Sequence, residues 1–476
     1  MSTKNNIYLS CIVSNFTPRQ KMIQETHKTE LKVCILSLVL VTCIKFLLIP
    51  AYRSTDFDVH RNWLSITHHL PVSQWYFDDN DGTTVHTLDY PPLFALFEYL
   101  LSNNPLTKWA IQAELVDQRC FEILPDNDNQ PTDECIFFQR FTVILSDFIF
   151  ICGALAASNF VHDTRTNSNI TENSSINEKH TPILSNATIS TLLITLNPGI
   201  LLLDHVHFQY NGMLLGLLLL SLGFMARSAT YTSIFDKELN IVISAFFFGT
   251  LLTMKHLYLT LAPLYFIYLL RFCCFHPYTR SHDDTNKINE EKEDQESSIP
   301  LQISIKGFTK LAVCTLSTLI LPFLPFIISS YKDEIPQISQ MLKRLFPFAR
   351  GLCHDYWAAN VWALYLFGDK CLSFISKTVL GRSIKLFEIS PFIAAMTLLT
   401  SLIPALIYAW YASESILRTN ALKIKQTPNR ISMEQRKLFF IHGVVSVPHC
   451  LSVLMKINIL LIGKSLHPFF APPHGV

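Results

Sequence analysis

Charged residues are scarce in this sequence. Only 16% of its 476 residues are Asp, Glu, Lys or Arg, whereas 49% are hydrophobic and the mean hydropathy is +0.28. Soluble domains carry about 25% charged residues, so the composition excludes an ordinary soluble protein. The apolar runs also lack the alternation of apolar and polar residues that a membrane β-barrel requires. Continuous apolar runs indicate helices, and we predict an all-α, polytopic helical membrane protein.

The apolar residues fall into about ten runs, several of them close to the roughly 20 residues that a helix needs to cross the hydrocarbon core. These runs cover approximately Val33–Pro50, Phe141–Ala157, Ile189–Leu203, Met213–Ala226, Ile241–Met254, Leu257–Cys274, Leu311–Ser330, Trp357–Phe367, Pro391–Tyr411 and Leu438–Ile462.

A cleavable signal peptide is not visible, because the first apolar run follows some thirty polar residues. Basic residues precede that run and an acidic stretch follows it, which predicts a cytosolic N-terminus and a luminal first loop. We therefore divide the chain into a cytosolic segment (1–32), a first transmembrane helix (33–51), a luminal loop with the candidate site motifs (52–139), a multi-helix transmembrane region (140–412) and a divergent C-terminal segment (413–476).

Of the twelve cysteines, most lie in the apolar runs, where cysteine is usually a small buried side chain. Cys120 and Cys135 are different because both lie in the predicted luminal loop, where an oxidising compartment allows a disulfide. The sequence leaves a bridge and two unpaired thiols equally open.

The stretch from Ser54 to Trp63 leaves the first helix and contains two carboxylates, an arginine and a tryptophan. At helical spacing, Asp58 and Arg61 share a face and could pair, which would leave Asp56 free at the start of the helix. A free carboxylate beside a membrane surface suits a general base for a sugar hydroxyl. The alternative, which these residues alone favour, is that Asp56 only caps the helix.

A second motif is Leu88-Asp89-Tyr90-Pro91-Pro92, whose paired prolines predict an extended turn. Asp89 could hold a substrate hydroxyl or bond the backbone of its own turn, and the second role is the usual one for an isolated Asp. The apolar residues that follow, 94–101, are too few to span a membrane.

A third motif, Asp204-His205-Val206-His207-Phe208-Gln209-Tyr210-Asn211-Gly212, separates two apolar runs. Two His and an Asp invite a metal site, but no further ligand cluster is near in the sequence and the amide side chains suit sugar hydroxyls better. We expect substrate binding, without a metal, by His205, His207, Gln209, Tyr210 and Asn211. The structural alternative is that these polar residues satisfy a broken helix end.

Cations occur at two further places. Lys255 and His256 interrupt an apolar stretch that otherwise runs from Ile241 to Cys274. A cation at membrane depth is costly and indicates a function, here as a partner for an anionic lipid headgroup, unless Lys255 simply extends to the membrane surface. Arg344 and Arg350 flank a proline and could clamp phosphate oxygens.

Together these motifs resemble those of the endoplasmic-reticulum glucosyltransferases that extend the lipid-linked oligosaccharide with dolichyl-phosphate-glucose, membrane enzymes of the GT-C class. The resemblance covers roughly Leu31 to Asp369 and rests on five segments in the family's order: Thr55-Asp56-Phe57-Asp58-Val59-His60-Arg61-Asn62-Trp63, Leu88-Asp89-Tyr90-Pro91-Pro92, His207-Phe208-Gln209-Tyr210-Asn211-Gly212, Met254-Lys255-His256 and Arg344-Leu345-Phe346-Pro347-Phe348-Ala349-Arg350-Gly351-Leu352.

The resemblance implies a GT-C fold in the endoplasmic reticulum membrane, with a luminal active site and without metal or cofactor. Two siblings in this family add the first and the second α-1,3-linked glucose. The first-glucose enzyme typically reads Gly-Asp-Tyr-Glu-Ala-Gln-Arg-His-Trp where this chain has Thr55 to Trp63, so this version is more similar to the second-glucose enzyme. The implied partners are dolichyl-phosphate-glucose, the dolichyl-pyrophosphate oligosaccharide Glc1Man9GlcNAc2 and membrane lipid, and no nucleic acid.

The donor in this family is a β-linked glucosyl phosphate and the product linkage is α, so the resemblance implies one displacement with inversion. Asp56 matches the family's proposed base. Lys255, His256, Arg344 and Arg350 are the candidates for neutralising the leaving dolichyl phosphate. The remaining expected substrate-binding residues are Asp58, Arg61, Trp63, Asp89 and Tyr90.

The chain departs from the family after about Ala412. The family continues with a Gly-Trp-His-Val-His-Glu-Lys motif and several more helices, which have no counterpart here, so we expect those C-terminal helices to be missing. The alternatives left open are the first-glucose sibling, an inactive isoform, and a transporter whose pathway is lined by Asp147, Lys255 and His256. No internal repeat, which transporters tend to have, is visible in the sequence.

Overall fold

The structure is a computed structural model and describes residues 18–77, 86–122, 130–166, 184–228, 234–277, 301–333, 337–346, 361–386 and most of 390–411. The helices in this part of the chain are α1 (Pro18–Leu47), α2 (Thr55–His69), α3 (Pro92–Asn103), α4 (Pro105–Gln112), α5 (Asp133–Thr166), α6 (Asn186–Thr195), α7 (Asn211–Ser228), α8 (Ile234–Met254), α9 (Ala262–Cys274), α10 (Ile305–Ile320), α11 (Leu324–Asp333), α12 (Gln337–Leu345) and α13 (Val361–Leu380).

The predicted helical membrane class is confirmed. Five helical segments in the described part of the chain are long and apolar enough to cross a membrane: 133–159, 186–208, 211–228, 235–254 and 305–329. The protein is therefore a multi-pass membrane protein. The only regular β-structure among the described residues is a short antiparallel pair, β1 (Phe275–Pro277) and β2 (Leu301–Ile303).

Some predicted runs have different bounds in the structure. The first run belongs to α1, which starts at Pro18 and ends at Leu47 rather than at Pro50. The run from Ile189 is interrupted at Asn197 and then continues as a helical turn and a π-helix (Leu201–Phe208), a wider helix with one extra residue per turn. The predicted run 438–462 lies outside the described residues.

The bundle core depends on close packing of α5 against α7. The two helices run parallel, and Gly153 of α5 faces Gly216 of α7 so closely that a Cβ on Gly153 would lie 2.4 Å from the Gly216 carbonyl oxygen. Two turns further along α7, Gly223 approaches the backbone of Ala156. Small residues at such contacts allow membrane helices to approach to backbone distance, which is where dispersion and weak polar contacts become effective.

Because α5 and α7 run in the same direction, the segment between them must cross the bundle in the opposite sense. Helix α8 then returns antiparallel to α7, with Ser244 Oγ 3.1 Å from Ser221 Oγ. Helix α10 runs parallel to α8, with Lys310 Nζ 2.7 Å from Glu238 Oε2. The bundle thus has two ends. We call the end that carries the start of α2 and the start of α7 the site end, and the end that carries β1 and β2 the far end.

The segment predicted as the luminal loop, 52–139, contains helices α2, α3 and α4. Its aromatic side chains form one cluster at the site end: Phe57, Trp63, Trp75, Tyr76 and Phe94, each at most 2% exposed. Aromatic pairs bury large apolar areas and prefer tilted or edge contacts, and Trp63 and Phe94 are such a pair, with ring centroids 5.9 Å apart. This cluster fixes α2 on the bundle.

The glycine contact between α5 and α7 leads to a testable prediction. We expect Gly216→Ala to lower the melting temperature of the detergent-purified protein, because its Cβ would lie 2.5 Å from the Ile149 carbonyl oxygen and overpacking typically costs about 1–3 kcal/mol. The matched control is Gly368→Ala in α13, where nothing lies within 4 Å of the added Cβ and the melting temperature should stay the same or rise. Equal effects of the two substitutions would contradict the packing described here.

Candidate active site

The first candidate residue, Asp56, lies at the start of α2 at the site end. Ser54, two residues earlier, is the N-cap of this helix, because its side-chain oxygen accepts a hydrogen bond of 3.2 Å from the Asp56 backbone N–H. The interpretation of Asp56 as the helix cap is therefore wrong. The Ser54 hydroxyl also donates to the carbonyl oxygen of His207, which attaches the start of α2 to the end of the π-helix.

The Asp56 carboxylate is not free, contrary to the expectation from the Asp58–Arg61 pairing. Its Oδ2 accepts a hydrogen bond from Gln209 Nε2, and His207 Nε2 lies 3.2 Å from the same oxygen, at ion-pair distance. The Asp56 side chain nevertheless stays 24% exposed. The carboxylate is thus held in one orientation while part of it remains accessible.

The predicted Asp58–Arg61 pair itself is confirmed, with Arg61 Nη2 3.3 Å from Asp58 Oδ1. Trp63 lies on the buried side of the same helix, where its indole N–H donates to the Thr87 carbonyl oxygen at 3.1 Å and its ring lies 4.9 Å from that of Tyr90. Asp89 is exposed at this turn. Trp63 and Tyr90 therefore form a wall beside the site.

A continuous series of side-chain hydrogen bonds leads from Asp56 into the bundle. The Gln209 amide that donates to Asp56 accepts, through Oε1, a hydrogen bond of 2.6 Å from Asn211 Nδ2. Asn211 Oδ1 in turn accepts from Lys255 Nζ at 3.1 Å. The predicted base and the predicted cation, nearly 200 residues apart in the sequence, are thus joined by two amide side chains. We call these four residues the carboxylate–lysine chain.

Asp204 fixes the break in the chain between the π-helix and α7. Its carboxylate accepts hydrogen bonds from the backbone N–H and side-chain N–H of Asn211, both at 3.1 Å, and from the backbone N–H of Gly212 at 2.5 Å. These donors belong to the first turn of α7, which has no helical partners for them. Asp204 is 1% exposed, so these hydrogen bonds are shielded from solvent.

The backbone is also unusual at this break. Phe208 has φ +78°, a left-handed conformation that is uncommon for a bulky residue and costs free energy. Its ring compensates by packing at 5.0 Å from Phe57 and 5.8 Å below the Arg140 guanidinium. Strained backbone of this kind is common at functional sites, because it aims side chains that regular structure would direct elsewhere.

Arg140 of α5 is a residue that the sequence did not single out. Its guanidinium is 1% exposed and donates to the carbonyl oxygens of Tyr52 and Val206, both at 3.0 Å, and to that of His205. These carbonyls belong to the connection before α2 and to the π-helix. One buried arginine therefore fixes the two chain segments that carry Asp56 and His207.

His205 was expected at the substrate surface, but the structure places it inside the bundle. Its Nε2 lies 2.9 Å from Asp147 Oδ2 of α5, and Lys45 Nζ of α1 lies 2.7 Å from the same oxygen. A buried carboxylate needs such partners, because desolvation would otherwise make its charge too costly. The two histidines of this motif therefore have different partners, because His205 contacts Asp147 whereas His207 contacts Asp56.

The cation of the chain, Lys255, follows directly after α8 and lies 5.1 Å from the centroid of the Tyr90 ring. Burial lowers the pKa of Lys255, against the opposing charges of Asp204, Asp56 and Asp89. Burial and the neighbouring Lys255 also lower the pKa of His256.

The remaining predicted cations are His256, Arg344 and Arg350. The His256 ring lies 5.7 Å from that of Phe346, the residue after α12. Arg344 is in the last turn of α12, a helix attached to the site end by a 2.5 Å hydrogen bond from Gln337 to the Val72 carbonyl oxygen. Arg350 lies outside the described residues. Tyr210, also predicted to bind substrate, is buried and shares a 2.8 Å hydrogen bond with Thr142.

Within the described ranges, no group of three or more His, Cys, Asp or Glu side chains could hold a metal ion. The site contains a fixed carboxylate that can accept a proton and, joined to it through two amide side chains, a partly buried lysine that can face an anion. The fold and the site thus define a polytopic helical membrane protein with a polar carboxylate–lysine site at one end of its bundle.

Sequence comparison identifies the family. The profile of the ALG6, ALG8 glycosyltransferase family matches residues 41–433. This match covers most of the chain, and the chain belongs to that family.

Individual relatives are similar to this chain over the same part. A Mus musculus protein named dolichyl pyrophosphate Glc1Man9GlcNAc2 alpha-1,3-glucosyltransferase is 40% identical over 348 residues, which cover 73% of this chain and 55% of that protein. The protein of the same name from Dictyostelium discoideum is 38% identical, over 71% of this chain and 53% of its own length. The Arabidopsis thaliana protein of that name is 33% identical, over 81% and 65%. The chain spans about half the length of the first two of these relatives.

The role of Asp204 can be tested through stability. We expect Asp204→Ala to lower the melting temperature clearly, because each buried donor left without an acceptor costs about 1–3 kcal/mol and Asp204 accepts from Asn211 and Gly212. Asp204→Asn, which keeps one acceptor oxygen, should lose less. The control is Asp58→Ala, which removes only the exposed pair with Arg61, worth at most about 1 kcal/mol. The interpretation is wrong if Asp204→Ala and Asp58→Ala melt alike.

Proposed function

We propose that this protein transfers glucose from dolichyl-phosphate-glucose to the monoglucosylated lipid-linked oligosaccharide, Glc1Man9GlcNAc2-PP-dolichol, and so forms the second α-1,3-linked glucose of the N-glycan precursor. The names of the similar proteins and the Thr55-Asp56-Phe57 version of the first motif support this choice. We place the protein in the endoplasmic reticulum membrane with the site end facing the lumen. Its substrates are then two dolichol-linked lipids, in a membrane.

The observation that supports catalysis most directly is the carboxylate–lysine chain. In the proposed reaction the 3-hydroxyl oxygen of the acceptor glucose attacks the anomeric carbon of the donor and gives its proton to Asp56. The bond between the anomeric carbon and the phosphate oxygen breaks, and dolichyl phosphate leaves with the electron pair. A single displacement inverts the β-linked donor to an α-linked product.

The residues around Asp56 have distinct parts in this proposal. Gln209 and His207 contact one carboxylate oxygen of Asp56, and these contacts hold the carboxylate in one orientation. Charge that develops on the leaving phosphate is stabilised by cations already in place, because such groups need no reorganisation during the reaction. Lys255, His256 and Arg344 are the described candidates, and Arg350 is added by the motif alone.

The second candidate is the sibling activity, addition of the first glucose. The shared family profile favours it as the alternative, whereas the names of the similar proteins favour the second glucose. A transporter is less well supported, because Asp147 is bonded to Lys45 and His205 rather than open to a pathway.

The proposed base is tested by transfer assays on reconstituted protein with dolichyl-phosphate-glucose and un-, mono- and diglucosylated acceptors. We expect transfer to the monoglucosylated acceptor alone. Asp56→Asn should lower kcat by about 10²–10⁴-fold, the usual contribution of a general base, with little change of KM. The control is Asp236→Asn in the first turn of α8, at the far end of the bundle, which should retain most of the rate.

Each contrary result of this assay has a definite meaning. Transfer to the unglucosylated acceptor would replace the proposal by the sibling activity. A full rate in Asp56→Asn would remove Asp56 as the base, and no transfer to any acceptor by the wild-type protein would favour the inactive isoform.

The role of Lys255 predicts a pH dependence. Burial lowers the pKa of Lys255 below its ordinary value of 10.5, and the proposed reaction needs its charged form. As the pH rises, Lys255 should lose its proton earlier than an exposed lysine does, so the rate should fall on the alkaline side below pH 10.5. Lys255→Arg, which stays protonated, should move this fall to higher pH, and Lys255→Met should abolish the limb together with most of the rate. An unchanged alkaline limb in Lys255→Arg would exclude Lys255 as its source.

A further inference from the structure

A second, smaller apolar cluster lies beside the aromatic cluster of the site end. It is formed by Leu64, Val116, Cys120, Phe121, Cys135 and Phe138. The two cysteines in it are 1% and 2% exposed, and both are free thiols packed in this one cluster. Two thiols that meet in an apolar cluster gain little from such a contact, because the thiol is a weak donor and a weak acceptor.

Both cysteines are held by short, capped pieces of backbone. Cys120 is in a 3-10 turn (Gln118–Phe121) whose first N–H groups are capped by Asp117, with Arg119 N–H 2.9 Å from Asp117 Oδ1. Cys135 is in the first turn of α5, where its N–H donates to Thr132 Oγ1 at 3.3 Å. Because the backbone is fixed on both sides, the two sulfur atoms are held near each other in the folded state.

We propose that Cys120 and Cys135 are oxidised to a disulfide in the native membrane. The inference rests on the luminal position of the site end in the proposed function, since only an oxidising compartment sustains such a bond. Two thiols lose two protons and two electrons, and one S–S bond forms. The acceptor is the disulfide of a luminal thiol–disulfide oxidoreductase, which is reduced to its dithiol by exchange through a mixed disulfide.

The surroundings make this a structural bond. Contact with Cys135 and burial raise the pKa of the Cys120 thiol well above its ordinary value, so the reactive thiolate is rare once the cluster has closed. The bond therefore forms during folding, while both sulfur atoms are accessible. In the folded protein the same burial protects it from reductants.

The bond would act on the site through α5. Arg140 follows Cys135 by little more than one helical turn and holds the carbonyl oxygens of His205 and Val206. Leu64, in the same cluster as both cysteines, belongs to α2, the helix that starts beside Asp56. A bridge from the 3-10 turn to α5 thus fixes the start of α5 relative to α2, and with it Arg140 relative to Asp56.

The sequence offers a direct chemical test. No Lys or Arg lies between Cys120 and Arg140, so trypsin releases both cysteines in one peptide, residues 120–140. Native microsomes are denatured in N-ethylmaleimide without reductant, and the protein is then purified, digested and analysed by mass spectrometry. We expect peptide 120–140 to carry no maleimide and to have a mass about 2 Da below the dithiol form, because two hydrogens are lost. Prior reduction should give two maleimide groups.

The same digest contains an internal control. Cys371, on α13, lies in the separate tryptic peptide 371–377 and should be labelled without reduction. Labelling of both Cys120 and Cys135 without reduction in native microsomes, alongside Cys371, would overturn the inference.

Stability measurements separate a bond from mere thiol packing. If the bond exists, Cys120→Ser, Cys135→Ser and the double variant should lower the melting temperature by the same amount, on the order of 5 °C for a closed loop of this length. Reductant should lower the wild-type value similarly and leave the variants unchanged. The control Cys371→Ser should show neither effect. Additive losses from the two single variants, without an effect of reductant, would contradict the bond.

A glycosylation reporter separates this inference from the proposed function. Gly82→Thr completes an N-glycosylation sequon at Asn80, within the predicted luminal segment. If peptide 120–140 is found as the dithiol although Asn80 is glycosylated, the disulfide inference is wrong and the luminal placement is retained. If Asn80 stays unmodified and the peptide is reduced, the luminal placement fails as well, and the proposed function with it.

Discussion

The carboxylate of Asp204 is the constraint on which the rest of the site depends. A chain that reverses direction at the end of a membrane bundle exposes the N–H groups of a new helix where little water is present to bind them. Asp204 accepts those of Asn211 and Gly212 together with the Asn211 side chain. Because the Asn211 amide is fixed in this way, the same Nδ2 also donates to Gln209, and Oδ1 accepts from Lys255.

A second group of buried charges fixes the same segment from the membrane side. Arg140 binds the carbonyl oxygens at the end of the π-helix, and Asp147 binds His205 and Lys45. These groups lie in three different helices, so the break between the π-helix and α7 is held by α1 and α5 as well as by its own turn. The reactive surface is therefore built on rigid membrane helices, although its residues come from connections between them. This arrangement gives the precision that catalytic groups need.

Helical geometry alone predicted local features of this chain, whereas the distant association of Asp56 with Lys255 was predicted only through the family resemblance. Asp58 and Arg61 are three residues apart on one helix, and their pairing followed from helical geometry alone. The cap was assigned to Asp56 because carboxylates are good caps, but Ser54, two residues earlier, occupies the N-cap position.

Other misses have a different origin. Arg140 was overlooked because its partners are carbonyl oxygens of Tyr52, His205 and Val206, which carry no side-chain signal. His205 and His207 are two residues apart, and side chains at this spacing do not share a helix face, so only His207 reaches Asp56 while His205 contacts Asp147. The aromatic residues of segment 52–139 are spread through the sequence, so their packing into one cluster could be seen only in the structure.

The left-handed backbone at Phe208 restricts how this site can change by substitution. Glycine would relieve the conformational cost of φ +78°, but it would also remove the ring that fills the space between Phe57 and the Arg140 guanidinium. A β-branched residue would fill part of that space and fit the backbone less well. The backbone conformation at this position thus favours glycine, whereas the surrounding space favours a large side chain. A single replacement satisfies only one of these two requirements. Substitution is accordingly easier at exposed positions around the candidate site than at the break itself.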